Sequence, residues 1–92
     1  MVKLVFLDSA VEDLDWFRRY YEDVFPAGAE RAYQRLKDVI EVLEFNPKAG
    51  KPNESVPSCR DFVVTGTPFV FVYRFSNDRV EVLYVKDCRA KR

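Results

Sequence analysis

Five consecutive residues, Phe69-Val70-Phe71-Val72-Tyr73, are apolar, and each is aromatic or β-branched. Side chains of these kinds fit a pleated strand. Turn signals bound the run on both sides, Gly66-Thr67-Pro68 before it and Ser76-Asn77-Asp78 after it. A strand with one face in water alternates apolar and polar residues. This one does not alternate, so both of its faces must be covered and it must lie inside a sheet.

The rest of the chain is read around that strand. Val2–Leu7 is apolar and β-branched, and predicts a first strand. Ser9 followed by Glu12 reads as a capping box that starts a helix running to about Phe25. Its expected core stripe is Ala10, Leu14, Phe17, Tyr21 and Val24. Pro26-Ala27-Gly28 breaks it. A second helix is predicted over Ala29–Phe45, with Ala29, Ala32, Tyr33, Leu36, Val39, Ile40 and Leu43 on one face. Asn46-Pro47 stops it, because a residue before proline avoids helical angles. Pro47–Ser58 reads as a loop, and Cys59–Thr65, Phe69–Phe75 and Arg79–Lys86 as three strands joined by short turns. The expected architecture is α+β, in the order β-α-α-β-β-β, with an antiparallel sheet packed on an N-terminal helical hairpin. The hairpin covers one sheet face. A second polypeptide is the expected cover for the other face of the central strand.

Ninety-two residues make one expected domain, 1–92. A chain of this size buries about 60–65% of the surface it exposes when unfolded, so it folds with little stability to spare. Fifteen basic and fifteen acidic residues cancel. Proteins that grip phosphates carry a basic excess, so direct sequence-specific nucleic-acid binding is not expected. The locally basic stretch is Lys86–Arg92. The N-terminal apolar run is too short for a signal peptide or membrane span, which points to the cytoplasm and to Cys59 and Cys88 as free thiols. There is no histidine, and neither a metal site nor a cofactor is expected.

Local runs in register with this order resemble the ParE/RelE superfamily of bacterial toxins. Ala10-Val11-Glu12-Asp13-Leu14-Asp15-Trp16 is similar to its A-x-x-D-L-x-x-[IW] opening. Ile40 to Pro52 is similar to I-x-x-L-x-x-x-P-x-x-G-x-P, and Arg60-Asp61-Phe62-Val63-Val64 to R-E-[LF]-V-V. Gly66 to Arg74 resembles G-x-P-Y-V-[LIF]-[VI]-Y-R, and Val80 to Val85 resembles V-x-I-L-x-V. The resemblance covers about residues 4–89. It implies the toxin of a type II toxin–antitoxin pair, with a co-expressed ParD-like antitoxin that has a ribbon-helix-helix DNA-binding part.

Two branches of that superfamily differ in mechanism. RelE-like members cut messenger RNA on the ribosome; ParE-like members inhibit DNA gyrase. RNA cleavage by 2′-hydroxyl attack needs a base, an acid and cations at the scissile phosphate. RelE-like enzymes supply two lysines on the second strand and an arginine at the start of the third. The matching positions here are Asp61, Val63 and Val70, and no tyrosine follows Tyr84. The resemblance therefore favours a non-enzymatic ParE-like gyrase inhibitor. The alternatives are a ribosome-dependent ribonuclease and a non-toxic remnant that still binds antitoxin. Where many ParE-like chains carry His-Gly-Arg after the last strand, this chain has Asp87-Cys88-Arg89.

The expected target-binding residues are Arg60, Arg74, Lys86, Arg89, Lys91 and Arg92. Cross-strand ion pairing is the competing role for Arg60 and Arg74, and a solvated end for the tail. The expected antitoxin contacts are Trp16, Tyr20, Phe69, Phe71 and Tyr73. For Trp16 and Tyr20 the competing role is to cover the edge of the core.

Overall fold

In the computed structural model, which describes residues 1–89, the apolar run becomes β4 (Phe69–Ser76). It is the middle strand of a five-stranded sheet. The other elements, in chain order, are β1 (Lys3–Phe6), α1 (Asp8–Arg19), α2 (Ala29–Phe45), β2 (Lys51–Pro52), β3 (Arg60–Val63) and β5 (Arg79–Asp87). The strand order is β1-β5-β4-β3-β2. β3, β4 and β5 form the expected antiparallel meander; the stretch 47–58, read as a loop, also contains the two-residue β2, which extends the meander by pairing antiparallel with β3. β1 instead lies parallel to β5. The meander sets the direction of β5, and β1 leaves through two helices rather than a tight turn, which permits parallel pairing.

Alternate residues of β4 face opposite sides of the sheet. Phe69, Phe71 and Tyr73 point under the helices and are 0% exposed. Phe17 of α1 stacks on Phe69 with ring centroids 4.8 Å apart, and Phe6 of β1 meets Phe71 edge-on at 5.6 Å. Ala32, Val39 and Leu43 of α2 and Val80, Val82 and Val85 of β5 complete this core. On the outer side, Val70 lies between Val63 and Lys86, and Val72 between Asp61 and Tyr84. These neighbours leave Val70 and Val72 only 8% and 5% exposed. Flanking side chains of the same sheet thus bury these two valines, and their burial needs no second polypeptide.

The capping box does not form. Leu7 is the N-cap of α1, without a side-chain hydrogen bond. The Ser9 hydroxyl instead donates to the Leu83 carbonyl at 2.6 Å. β1 ends at Phe6, opposite Val82, so β5 continues beyond it with a bare edge. Helix α1 runs along that edge. Besides Ser9, the Asp13 carboxylate accepts the Val85 N–H at 2.9 Å, and the Trp16 indole N–H donates to the Asp87 carboxylate at 3.0 Å. Residues 9, 13 and 16 are spaced as one helix face, and residues 83, 85 and 87 as one strand edge. A register shift in the β4–β5 pairing, where Val72 and Tyr73 oppose Tyr84 and Val82, leaves Leu83 as the extra residue of a bulge.

The core stripe of α1 is right as far as Tyr21. Val24 is corrected: it is exposed. After Arg19 the chain winds into a π-helical turn, Tyr20–Val24, closed by Phe25 N–H donating to the Tyr20 carbonyl at 2.9 Å. The wider turn advances the phase, burying Tyr20 and Tyr21 side by side and carrying Val24 outward. The Asn77-Asp78 turn between β4 and β5 has both residues at positive φ, 57° and 56°. Hairpin turns of the mirror-image type need this, and Asn and Asp tolerate it.

The edge-capping geometry gives a direct test. Asp13→Ala leaves the Val85 N–H without its acceptor and is expected to cost about 1–3 kcal/mol. Glu12→Ala, at the other half of the unformed capping box, is expected to change stability by less than about 0.5 kcal/mol. Urea unfolding of both variants checks this ordering, and the reverse order would restore the capping box.

Candidate interaction surfaces

The loop after α2 is held by two residues of the sheet. The Tyr73 hydroxyl donates to the Pro47 carbonyl at 2.8 Å and accepts the Gly50 N–H at 2.9 Å. Burial pushes the Tyr73 pKa up, with the Gly50 hydrogen bond opposing it, so the hydroxyl stays neutral and can do both. Arg60 donates to the Gly50 carbonyl at 2.8 Å. Gly50 is required by the close approach: a Cβ there would lie 2.7 Å from the Asp61 carbonyl oxygen and 2.8 Å from the Tyr73 hydroxyl. Arg60 is therefore a loop anchor; its partners are backbone carbonyls rather than an acidic side chain across the sheet.

Arg74 does pair across the sheet. Its Nε donates to Glu81 at 2.8 Å, and Arg79 Nε donates to the other Glu81 oxygen at 2.8 Å. The Glu81 side chain is 2% exposed, while both arginines keep much of their surface in water. The two guanidinium groups, Arg74 first, outweigh the burial that opposes ionisation and hold the Glu81 carboxyl down at about 2. The structure thus turns one expected cation, Arg74, into half of a clamp that the sequence reading did not single out.

A second cluster joins α1 to the end of β5. The Asp87 carboxylate binds the Arg89 guanidinium at 2.7 Å and the Trp16 indole at 3.0 Å. The Arg89 guanidinium also sits over the Tyr20 ring, 4.0 Å from its centroid. Arg89, opposed by burial and supported by Trp16, holds the Asp87 carboxyl at about 2. Trp16, Tyr20 and Arg89, expected to serve different partners, are one contact group.

Burial sorts the expected contacts. Phe69, Phe71 and Tyr73 are core and present no surface to an antitoxin, which corrects that expectation; a strand without alternation leaves open which of its side chains face the helices. Tyr20 is buried as well, beneath Arg89. Trp16 retains some exposed surface. Lys86 is exposed beside Val70 on the outer sheet face. Lys91 and Arg92 lie outside the described residues. The reading missed Glu81, Asp87 and Tyr84. The first two were legible only as acidic residues between basic ones on a strand, a pattern that solvated surfaces share.

Asp61, Val63 and Val70 come together on the outer face, Asp61 opposite Val72 and Val63 opposite Val70. Asp61 accepts a hydrogen bond from Asn53 Nδ2 at 2.8 Å. Among the described residues, no helix is long and apolar enough to cross a membrane.

The two depressed carboxyls set a pH response. Their folded values, about 2, lie below the ordinary values of 4.5 for Glu81 and 3.8 for Asp87. The stability they contribute is fully present above those ordinary values and is lost as pH falls towards 2. Thermal melts between pH 2 and 6 are expected to show this loss, and to show less of it in Glu81→Gln and Asp87→Asn. An equal slope in all three proteins would remove both carboxyls from the acid response.

Comparison with known proteins places this arrangement. A family model described as "ParE toxin of type II toxin-antitoxin system, parDE" matches residues 4–91. A curated protein of Sinorhizobium fredii, "Putative toxin Y4kP", is 33% identical over 76 residues, which span 83% of this chain and 77% of that protein. A solved structure described as "Chromosomal ParDE TA system from P. aeruginosa" superposes with a TM-score of 0.74 at 27% identity, over 95% of this chain and 96% of that one.

Proposed function

This chain belongs to the ParE toxin family of type II toxin–antitoxin systems, and from that membership we propose that it is a non-enzymatic inhibitor of DNA gyrase. In this reading it acts in the cytoplasm and is neutralised by a ParD-like antitoxin.

One observation carries the non-enzymatic part. The three outer-face positions that would hold cations in an RNA-cleaving relative lie side by side and hold Asp61, Val63 and Val70. A carboxylate fixed by Asn53, beside two valines, repels a phosphate rather than gripping it. The chain also has no histidine to serve as acid or base. What such a surface retains is the capacity to bind.

The Asp87–Arg89 cluster supports a role for the end of β5 in meeting the target. Trp16, Tyr20 and Asp87 hold Arg89, in the turn that follows β5, against the end of helix α1. A positioned cation steers and orients an encounter with a charged nucleoprotein, and the effect weakens with salt. Arg89, in the turn after β5, is assigned here as a target contact, together with Lys86 near the end of that strand.

Expression from a tight promoter, with plasmid supercoiling and messenger RNA followed together, tests the reading. The expected outcome is loss of gyrase supercoiling with intact messenger RNA. Arg89→Ala is expected to restore plating at least tenfold while leaving the circular dichroism spectrum unchanged. Ribosome-phased cuts within A-site codons, with supercoiling unaffected, would establish the ribonuclease instead.

A further inference from the structure

We propose that the cleft between the π-helical turn and the first turns of α2 is a binding site for a mononucleotide. The inference is independent of the gyrase reading.

The cleft has a volume of about 860 Å³; Tyr21 and Phe25 line one side, and Glu30, Arg31, Gln34 and Arg35 of α2 line the other. That volume lies within the range of small-molecule sites, about 300–1,000 Å³. The π turn builds the first wall. It turns Tyr21 inward, 3% exposed, and leaves Phe25 half-exposed at its end. Turns of this kind inside helices occur often at functional sites. The Tyr21 hydroxyl has no hydrogen-bond partner among the described residues. No fully buried side-chain nitrogen or oxygen among them lacks a partner, so this hydroxyl is reached from outside, through the cleft that Tyr21 lines. Burial pushes its pKa up, so it stays an O–H that can donate.

The second wall supplies the charge. Eight arginines lie among the described residues. Five are paired with carboxylates, and Arg60 is held by backbone carbonyls. The two without such a partner among the described residues are Arg31 and Arg35, and both line this cleft. Four residues apart on one helix, they are neighbours on its surface. A guanidinium fork matches phosphate oxygens in paired hydrogen bonds. A phosphate, with its three terminal oxygens, takes up more of these donors than a carboxylate can.

The rest of the cleft fits the rest of a nucleotide. Phe25 offers a flat ring, and every nucleobase has a π face that stacks on such a ring. Glu30 and Gln34 add acceptors. The Gln34 Nε2 donates to Asp38 at 3.0 Å, so Gln34 presents its amide oxygen, and Glu30 its carboxylate, to ribose hydroxyls or an exocyclic amino group. Two arginines against one glutamate leave the lining with a small positive excess. Residues 8–45, which hold both helices, carry ten acidic and five basic residues. A nucleic-acid strand running out of the cleft is repelled by that acidic surplus, whereas a single nucleotide ends inside it.

Calorimetric titration of the full chain with AMP, GMP, CMP and UMP, and with adenosine and inorganic phosphate, tests the assignment. At least one nucleotide is expected to bind saturably, with nucleoside and phosphate alone at least about tenfold weaker. The double variant Arg31→Gln with Arg35→Gln is expected to weaken nucleotide binding at least about tenfold. Phe25→Leu, which keeps apolar bulk without the flat ring, is expected to weaken it at least about fivefold, and Tyr21→Phe at least about twofold. Lys37→Gln removes a cation from the same helix outside the cleft and is expected to leave affinity within about twofold. Phe25, Arg31, Arg35 and Lys37 are exposed, and circular dichroism verifies that the variants fold. Absence of saturable binding by all four nucleotides at millimolar concentration overturns the proposal, and so does binding that the arginine and Phe25 variants leave unchanged. Inorganic phosphate that binds as tightly as the best nucleotide overturns the nucleotide assignment and leaves an anion site. An RNA oligonucleotide that binds more tightly than any mononucleotide, and is lost in the double arginine variant, overturns it in favour of a strand.

Discussion

Past Phe6, strand β1 has ended and β5 runs on with one edge unpaired, so its backbone groups need partners that no strand provides. Unpaired strand edges invite association with other chains. Helix α1 answers this with side chains: Ser9 meets the Leu83 carbonyl, Asp13 the Val85 N–H and Trp16 the Asp87 carboxylate. The rest of the molecule follows from that docking. It sets how α1 lies on the sheet and brings Phe17 onto Phe69, and it places Trp16 and Tyr20 where Asp87 and Arg89 can close on them. The aspartate of the A-x-x-D-L run is, in this chain, an edge cap for the last strand.

The other edges are managed in different ways. Outside β1, the Leu4 N–H donates to the Glu44 carboxylate and the Val2 N–H to the Glu44 carbonyl, which ties the strand to the end of α2. Outside β3, the two-residue β2 and its loop are fastened by Tyr73, Arg60 and the close approach at Gly50. With these edges occupied and both helices packed on one side, the outer sheet face carries no helical layer among the described residues. Lys51, Lys86 and the Arg74–Arg79 pair stand on that face.

Much of the architecture was legible in the chain. Apolar periodicity located both helices to within a few residues, and the Gly66-Thr67-Pro68 and Ser76-Asn77-Asp78 turns marked the meander. The candidate surfaces were less legible. Phe69, Phe71 and Tyr73 read as sticky because a run without alternation does not say which side chains face the helices. Arg60 and Arg74 read as available cations because their partners, the Gly50 carbonyl and Glu81, are brought to them only by folding. Val24 read as core because a regular helical period was extended across a π turn that local composition does not signal.

Pattern and composition by themselves determined the class of fold, the central place of β4, the turn positions and the absence of cations at Asp61, Val63 and Val70. These depend on local preference and on residue identity, which travel with the chain. The tertiary structure alone decided that β1 pairs in parallel, that Ser9 and Asp13 serve the β5 edge, and that Trp16, Tyr20, Asp87 and Arg89 form one cluster. Each of these joins residues about 70 positions apart. A partner at that separation is chosen by packing and register, which no local stretch of sequence contains.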